Sequence, residues 1–211
     1  MSLLPASSRS LLLNAALAAL PVAAALPVAL TATAAVAETV DTSFLQTVSQ
    51  RLVATVNGAG SHASKVAAVL AVVDRDVAVD QIAQFCLGRY WRTATPAQKQ
   101  RYVALFHKVL ANSISDKLGA YEGLSLAIGT SEARADGTYV HSTLTRPGQN
   151  PASVLWKVNE VAGQPKIEDV VVEGVSLVIT QRQDYASFLS SHGGNVDALL
   201  AALDRQVANH G

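Results

Sequence analysis

Gly58-Ala59-Gly60-Ser61-His62-Ala63 has the G-x-G-x-x-A spacing with which a backbone turn cradles a dinucleotide pyrophosphate, and Asp74 and Asp76 follow within reach of a ribose-binding position. That chemistry needs a strand before the first glycine and a parallel βαβ unit. The residues before Gly58 have helical spacing instead, so the segment reads as a turn between two helices. Covalent catalysis would need Ser, Cys or Lys beside a base. Ser176, in Glu173-Gly174-Val175-Ser176-Leu177, lacks the second glycine of a nucleophile elbow and stands where a helix N-cap belongs. Cys86, the one cysteine, falls on the apolar face of a helix, where a buried inert thiol is expected. His62, His107, His141, His192 and His210 include no i, i+4 pair and no acidic partner at zinc-binding spacing. Tyr139 and Asp169 are the residues that could serve as a base inside an apolar cavity, as a small isomerase or dehydratase would require. Asp169 sits at the start of a strand and Tyr139 at the margin of a sheet, so the chain reads as a non-enzyme without metal or cofactor.

Arg89-Tyr90-Trp91-Arg92 is a different kind of cluster. Two arginines beside aromatic rings can meet an anionic head group while the rings touch its less polar part. The same residues also suit the junction of a short helix with a long one, the arginines snorkelling around the rings.

The elements that position these residues follow from periodicity. Asp41 to Asn57 carries Leu45, Val48, Leu52 and Val56 at helical spacing, with Asp41 or Thr42 as cap and Asn57-Gly58 as stop. Ser61 caps a second helix with Val66, Val69, Leu70 and Val73 on one face. A short third helix carries Ile82, Phe85 and Cys86 and ends at Gly88. Thr95-Pro96-Ala97-Gln98 combines an N-cap, Pro at the first helical position and Gln three residues after the cap, opening a helix through about Leu118. From Leu124 the pattern turns to alternation, predicting strands near 124–134, 137–146, 152–160 and 166–173 joined by short turns, hence an antiparallel meander. Helical spacing returns after Gly174, breaks at Gly193-Gly194 and resumes from Asn195. The layout is one α+β domain, a four-stranded antiparallel sheet with N- and C-terminal helices on one face.

The chain has 211 residues with 16 basic and 16 acidic side chains, and half its residues are hydrophobic. Zero net charge argues against a nucleic-acid partner, which needs a Lys/Arg excess. The apolar surplus is concentrated at the start: Arg9, the run Leu11 to Leu30 and Ala35-Val36-Ala37 have the order of a secretory signal peptide cleaved after Ala37. Pro21 and Pro27 interrupt the run and argue against a retained membrane anchor. Residues 1–37 are thus expected as a leader, residues 38–211 as one exported domain, and a lone cysteine leaves its stability to the core rather than to disulfides.

Two long segments, LGRYWRTATPAQKQRYVALF at 87–106 and IEDVVVEGVSLVITQRQDYASFL at 167–189, closely resemble the MlaC family of periplasmic phospholipid-binding proteins, also described as toluene-tolerance or auxiliary transport components. The matching features are Leu87 to Trp91, Gln98, Trp156-Lys157 and Asp169 to Leu177. Thr180-Gln181-Arg182, where the family usually has Asn-Tyr-Arg, and Gly193-Gly194-Asn195-Val196 are departures. The resemblance implies a twisted antiparallel sheet wrapped by helices, similar to a cystatin or nuclear-transport-factor-like cone, with acyl chains in an apolar cavity and the head outside. It also implies a periplasmic monomer whose cargo is phospholipid, with an inner-membrane ABC transporter bearing a lipid-binding ring and an outer-membrane lipoprotein complex as partners. A hopanoid or other polar lipid is the alternative cargo. On that reading the lipid-contacting residues are expected to be Phe85, Val103, Phe106, Leu110, Val140, Leu144, Leu155, Val170, Val172 and Leu177. Arg89, Trp91, Arg92 and Arg182 are expected at the head group or a partner.

Overall fold

A computed structural model describes residues 40–209 of the chain. The expected leader and His210 lie outside the described residues. Helix α1, Val40–Asn57, turns Thr42, Leu45, Val48, Ser49 and Val56 inward. Asp41 and Thr42 are inside this helix rather than at its cap, and Thr42 shares the buried stripe, which commits its side chain to the core. Helix α2, His62–Asp76, starts where Ser61 Oγ accepts the Ser64 N–H at 3.2 Å. Helix α3, Val79–Leu87, stops at Gly88, whose φ of 59° lies in the left-handed region that a side chain disfavours. A 3-10 turn, Gly88–Arg92, leads into the long helix α4, Pro96–Leu118. Its start is a full capping box: Thr95 Oγ1 accepts the Gln98 N–H at 3.2 Å, and Gln98 Oε1 accepts the Thr95 N–H at 2.9 Å. A second 3-10 turn, Gly119–Tyr121, precedes the sheet.

The sheet is antiparallel throughout, with strands β1 (Ser125–Arg134), β2 (Gly137–Thr145), β3 (Ala152–Val161), β4 (Gln164–Val172) and β5 (Val175–Ser176) in sequential order. It has five strands, not the four expected. Glu173 and Gly174 take φ of 50° and 80°, the paired left-handed conformation of a two-residue hairpin turn, so the chain doubles back and Val175–Ser176 pair with Val172 and Val171. Two residues are too few to leave a periodic trace. Helix α5, Leu177–Ser191, follows at once from its N-cap Ser176, and helix α6, Val196–Ala208, from its N-cap Asn195. On the far side of β4, Val77 forms a parallel bridge with Ile167, and the Ala78 N–H donates to Ile167 O at 2.9 Å.

Register sorts the two sheet faces. Val140, Trp156 and Val170 lie in one row across β2, β3 and β4, and Ser142, Val154 and Val172 in the next; these face the helices. Tyr139, Lys157 and Asp169 form a row on the opposite, outer face. A bulge at Lys157/Val158 inserts Glu168 beside Asp169, and Glu168 accepts from Asn159 Nδ2 at 2.6 Å and stands 3.5 Å from Lys157 Nζ. Ile167 and Val170 thereby both stay inward although two carboxylates intervene.

Three apolar clusters hold the layers. Leu45, Val48 and Val72 of α1 and α2 pack on Val140, Val158 and Ile167 of the sheet. Helices α3 to α6 build a separate helical core around Tyr102, Leu189, Leu199 and Leu200. There the Tyr102 hydroxyl donates to Ala83 O at 3.0 Å, and its ring meets Trp91, Phe106 and Tyr185 at 6.0–6.5 Å between centroids. The third cluster joins Val56, Val69, Leu118 and Leu124. Among the described residues no helix is long and apolar enough to cross a membrane.

Candidate functional site

An apolar cavity of about 370 Å³ lies between the inner face of the sheet and helices α1, α2 and α4. Leu126, Leu144, Val154, Trp156, Val170 and Val172 form its sheet wall; Leu52, Val56, Val69, Leu110, Ser113, Ile114 and Leu118 form its helical wall. Lys117, Tyr121, Leu124 and Leu177 complete the lining. Protein interiors are ordinarily packed to near-crystal density, so a void of this size is a built feature. Its origin is the side-chain inventory. Three valines on the sheet and Ser113 on α4 put short side chains into its wall, beside the cluster through which α1 and α2 pack on the sheet. The indole N–H of the sheet wall is already satisfied: Trp156 Nε1 donates to Ser142 Oγ at 2.8 Å, and that hydroxyl donates to Val154 O at 3.2 Å. A wall of this composition favours hydrocarbon over water.

Of the residues the sequence put forward for lipid contact, the structure brings Leu110, Leu144, Val170, Val172 and Leu177 together in this cavity. Val103 and Phe106 belong to the helical core, and Val140 is fully buried beneath α1 and α2. Leu155 lies between inward Val154 and Trp156, so the twofold strand period turns it to the outer face. Phe85 is 45% exposed, because α3 spends its buried face on Val79, Ala83, Cys86 and Leu87. Trp156 and Val154 carried the clearest overlooked signal, flanking Leu155 on a strand of that alternation. Ile114 continues the α4 stripe from Leu110. Lys117 had none, since a charged residue in the last helical turn is ordinarily a surface residue.

Arg89, Trp91, Arg92 and Arg182 meet elsewhere, around a shallow depression of about 510 Å³ that also takes in Gln81, Gln84, Phe85 and Gly88. Arg182 Nη1 donates to Phe85 O at 3.0 Å and its guanidinium stacks 4.4 Å from the Phe85 ring centre. The ring is thus held outward from beneath. This face is separate from the cavity lining, so these arginines do not stand at its mouth.

The groups with chemical potential are occupied structurally. Burial pushes the Cys86 thiol up to about 12, and its nearest partner is Val178 O at 3.7 Å. Ser176 Oγ donates to Asp169 Oδ2 at 2.5 Å and accepts the Ile179 N–H at 2.9 Å, a cap rather than a nucleophile. Asp169 also accepts the Val170 and Val178 N–H groups. Tyr139 donates to Asp136 Oδ2 at 2.9 Å on the outer face; neither Tyr139 nor Asp169 is part of the cavity wall. Gly58 to Ser61 is the turn between α1 and α2, and His62-Ala63 open α2, with no strand before them among the described residues. Among the described residues no group of His, Cys, Asp and Glu could hold a metal ion.

Comparison with known proteins agrees with this architecture. A solved structure described as the phospholipid-binding protein from Ralstonia solanacearum, in complex with a phospholipid, superposes with a TM-score of 0.70 at 24% identity, covering 81% of this chain and 98% of that one. The toluene tolerance protein ttg2D of Pseudomonas putida is 25% identical over 122 residues, 57% of this chain. The match spans 56% of that relative's length. The family described as MlaC protein matches residues 44–205, which take in every element from α1 to α6, and the chain belongs to the MlaC family.

Proposed function

We propose that this chain is a phospholipid carrier, exported by cleavage of residues 1–37 and working in the periplasm as residues 38–211, which holds acyl chains in the cavity between sheet and helices. The single observation that carries this reading is the cavity itself: about 370 Å³ walled mainly by aliphatic side chains with Trp156 and Tyr121, and with Ser113 and Lys117 as its polar members. Each methylene moved from water into such a wall contributes about 0.8 kcal/mol. Hydrocarbon tails therefore supply affinity without head-group chemistry. The phospholipid bound to the structural neighbour supports the same reading.

A carrier that grips lipid this way needs a partner that lowers the grip, since a ligand held equally in every state is never released. The proposed partners are an inner-membrane ABC transporter with a lipid-binding ring and an outer-membrane lipoprotein complex. The face of Phe85, Arg89, Trp91, Arg92 and Arg182 is the proposed contact for one of them: an exposed aromatic ring and arginines are the residue types that dominate binding energy at protein interfaces. The test of the carrier reading is organic extraction and mass spectrometry of the mature chain purified from the periplasm without detergent. Stoichiometric phospholipid is expected. An empty extract, together with failure to take lipid from vesicles, would overturn it.

A further inference from the structure

Lys117 is the one acidic or basic side chain in the cavity lining, and among the described residues it has no ion pair. It stands in the last turn of α4, exposed, where its methylene stem can lie along the apolar wall while the ammonium stays in water. Beside it, Tyr121 also lines the cavity, and the Arg146 guanidinium lies 5.0 Å from the centre of that ring while its Nη1 donates to Ala120 O at 3.3 Å. A second cation is thereby fixed over the same rim.

The rim is a rigid platform. Asn57, at the end of α1, donates from Nδ2 to Leu124 O and accepts the Gly123 N–H, both at 2.8 Å. Gly123 has φ of 75°, and a Cβ there would stand 2.7 Å from Pro147 Cγ, so the loop can close on the β2–β3 turn only with glycine. The acid of this loop, Glu122, lies 3.8 Å from Lys65 Nζ, and Lys65 also donates to Val56 O at 2.8 Å. Glu122 and Lys65 thus largely offset each other. Among the described residues Lys117 and Arg146 have no such ion pair.

We propose that Lys117, assisted by Arg146, forms a cationic rim that selects amphiphiles with an anionic head, an inference that rests on the carrier reading above. A tail in the cavity places its head where the ammonium can make a charge-assisted hydrogen bond to a phosphate or a carboxylate oxygen. A neutral head of equal tail length gains nothing there. The rim thus supplies selectivity, whereas the cavity supplies affinity.

The experiment uses delipidated mature chain and phosphatidylcholine vesicles doped with equal amounts of phosphatidylglycerol and diacylglycerol of matched chains, with oleate against oleyl alcohol in a parallel arm. Lipid bound to the recovered protein is read by mass spectrometry. The wild-type chain is expected to favour phosphatidylglycerol over diacylglycerol by about fivefold, the scale of one partly exposed ionic contact. Lys117→Gln should remove most of that preference with the thermal midpoint unchanged, and Lys117→Glu should reverse it. A matching Lys117-dependent preference for oleate identifies charge as what is read; preference in the phosphatidylglycerol arm alone identifies phosphate. Equal uptake of charged and neutral lipids by the wild-type chain, or a preference that survives Lys117→Gln, overturns the inference and leaves the carrier reading standing. Uptake of no amphiphile at all removes both.

Discussion

Asp169 and Ser176 are joined by a 2.5 Å hydrogen bond that ties the strand flooring the cavity to the helix at its mouth. Val170 and Val172 follow Asp169 on β4 and Leu177 follows Ser176 into α5, and all three apolar residues line the same cavity. The Asp169 carboxylate further accepts the Val178 N–H at 3.2 Å, so one acid holds both the hairpin and the first turn of the helix.

Breaking that link should loosen the mouth before it unfolds the protein. Ser176→Ala removes the cap to Ile179 as well as the bond to Asp169, and about 1 kcal/mol of stability should go with it, read from urea unfolding. Lipid dissociation from the variant should be faster than the small stability loss accounts for. Unchanged dissociation would mean that α5 does not guard the mouth.

Filling the cavity separates binding from folding. Val170→Phe and Leu110→Trp each push bulk into the void, where there is room for much of it, so the cost should stay within the roughly 1–3 kcal/mol typical of overpacking. Lipid recovered per chain should drop severalfold. Phe106→Ala is the contrasting control: it carves the helical core, costs about 3–5 kcal/mol, and should leave bound lipid per folded chain unchanged.

The exposed face around Phe85 predicts an electrostatic contact. Phe85→Ala combined with Arg89→Glu and Arg92→Glu should move stability by no more than about 1 kcal/mol, since all three side chains are exposed. Affinity for the purified ring domain of the transporter or for the outer-membrane complex should fall at least tenfold. For the wild-type chain the association rate should decline with salt, and for the variant that dependence should flatten. Retained affinity for both partners would move the docking site elsewhere.

On the outer face, the hydrogen bond from Tyr139 and the nearby Lys157 ammonium hold the Asp136 carboxyl below its ordinary value of 3.8. A carboxylate with a depressed folded value favours the folded state above its unfolded value and loses that contribution as pH falls through the folded one. Stability should therefore sag below about pH 4, and Asp136→Asn should lower the urea midpoint slightly at neutral pH and flatten the acid limb, the two profiles converging at low pH. An identical acid limb in the variant would assign it to other carboxylates.

Helices α2, α4, α5 and α6 could be read closely because their starts carry a local chemical signal: Ser61, the Thr95–Gln98 box, Ser176 and Asn195 all cap as their side chains suggest, whereas α1 and α3 rest on spacing alone. Strands β1 to β4 were legible for a similar reason, since their turns are short and punctuated by glycine. The fifth strand was not, because a two-residue pairing leaves no period. The cavity was only half legible. Helical spacing marks Val103, Phe106 and Leu110 alike as inward-facing, yet the first two belong only to the helical core while Leu110, packed on that same core, also borders the cavity. Which inward residue finds a partner depends on how far apart neighbouring layers stand, and that is a property of the assembled fold. Lys117 was invisible for the converse reason: its position gains meaning only from the void beside it.

The β4 flank has one more consequence. An open strand edge is a template on which other chains can stack, and soluble sheet proteins must blunt it. Here Val77 and Ala78 cover β4 at Ile167, and the two-residue β5 covers Val171 and Val172, so little of that margin is free to recruit a neighbour. At the opposite margin, β1 is broken by its bulge between Ile128 and Ser131 and carries Glu132 and Arg134 at its end. A protein with an apolar hollow beside an open sheet is a natural seed for fibrils; these short covers and the kinked, charged border leave few backbone groups for strand addition.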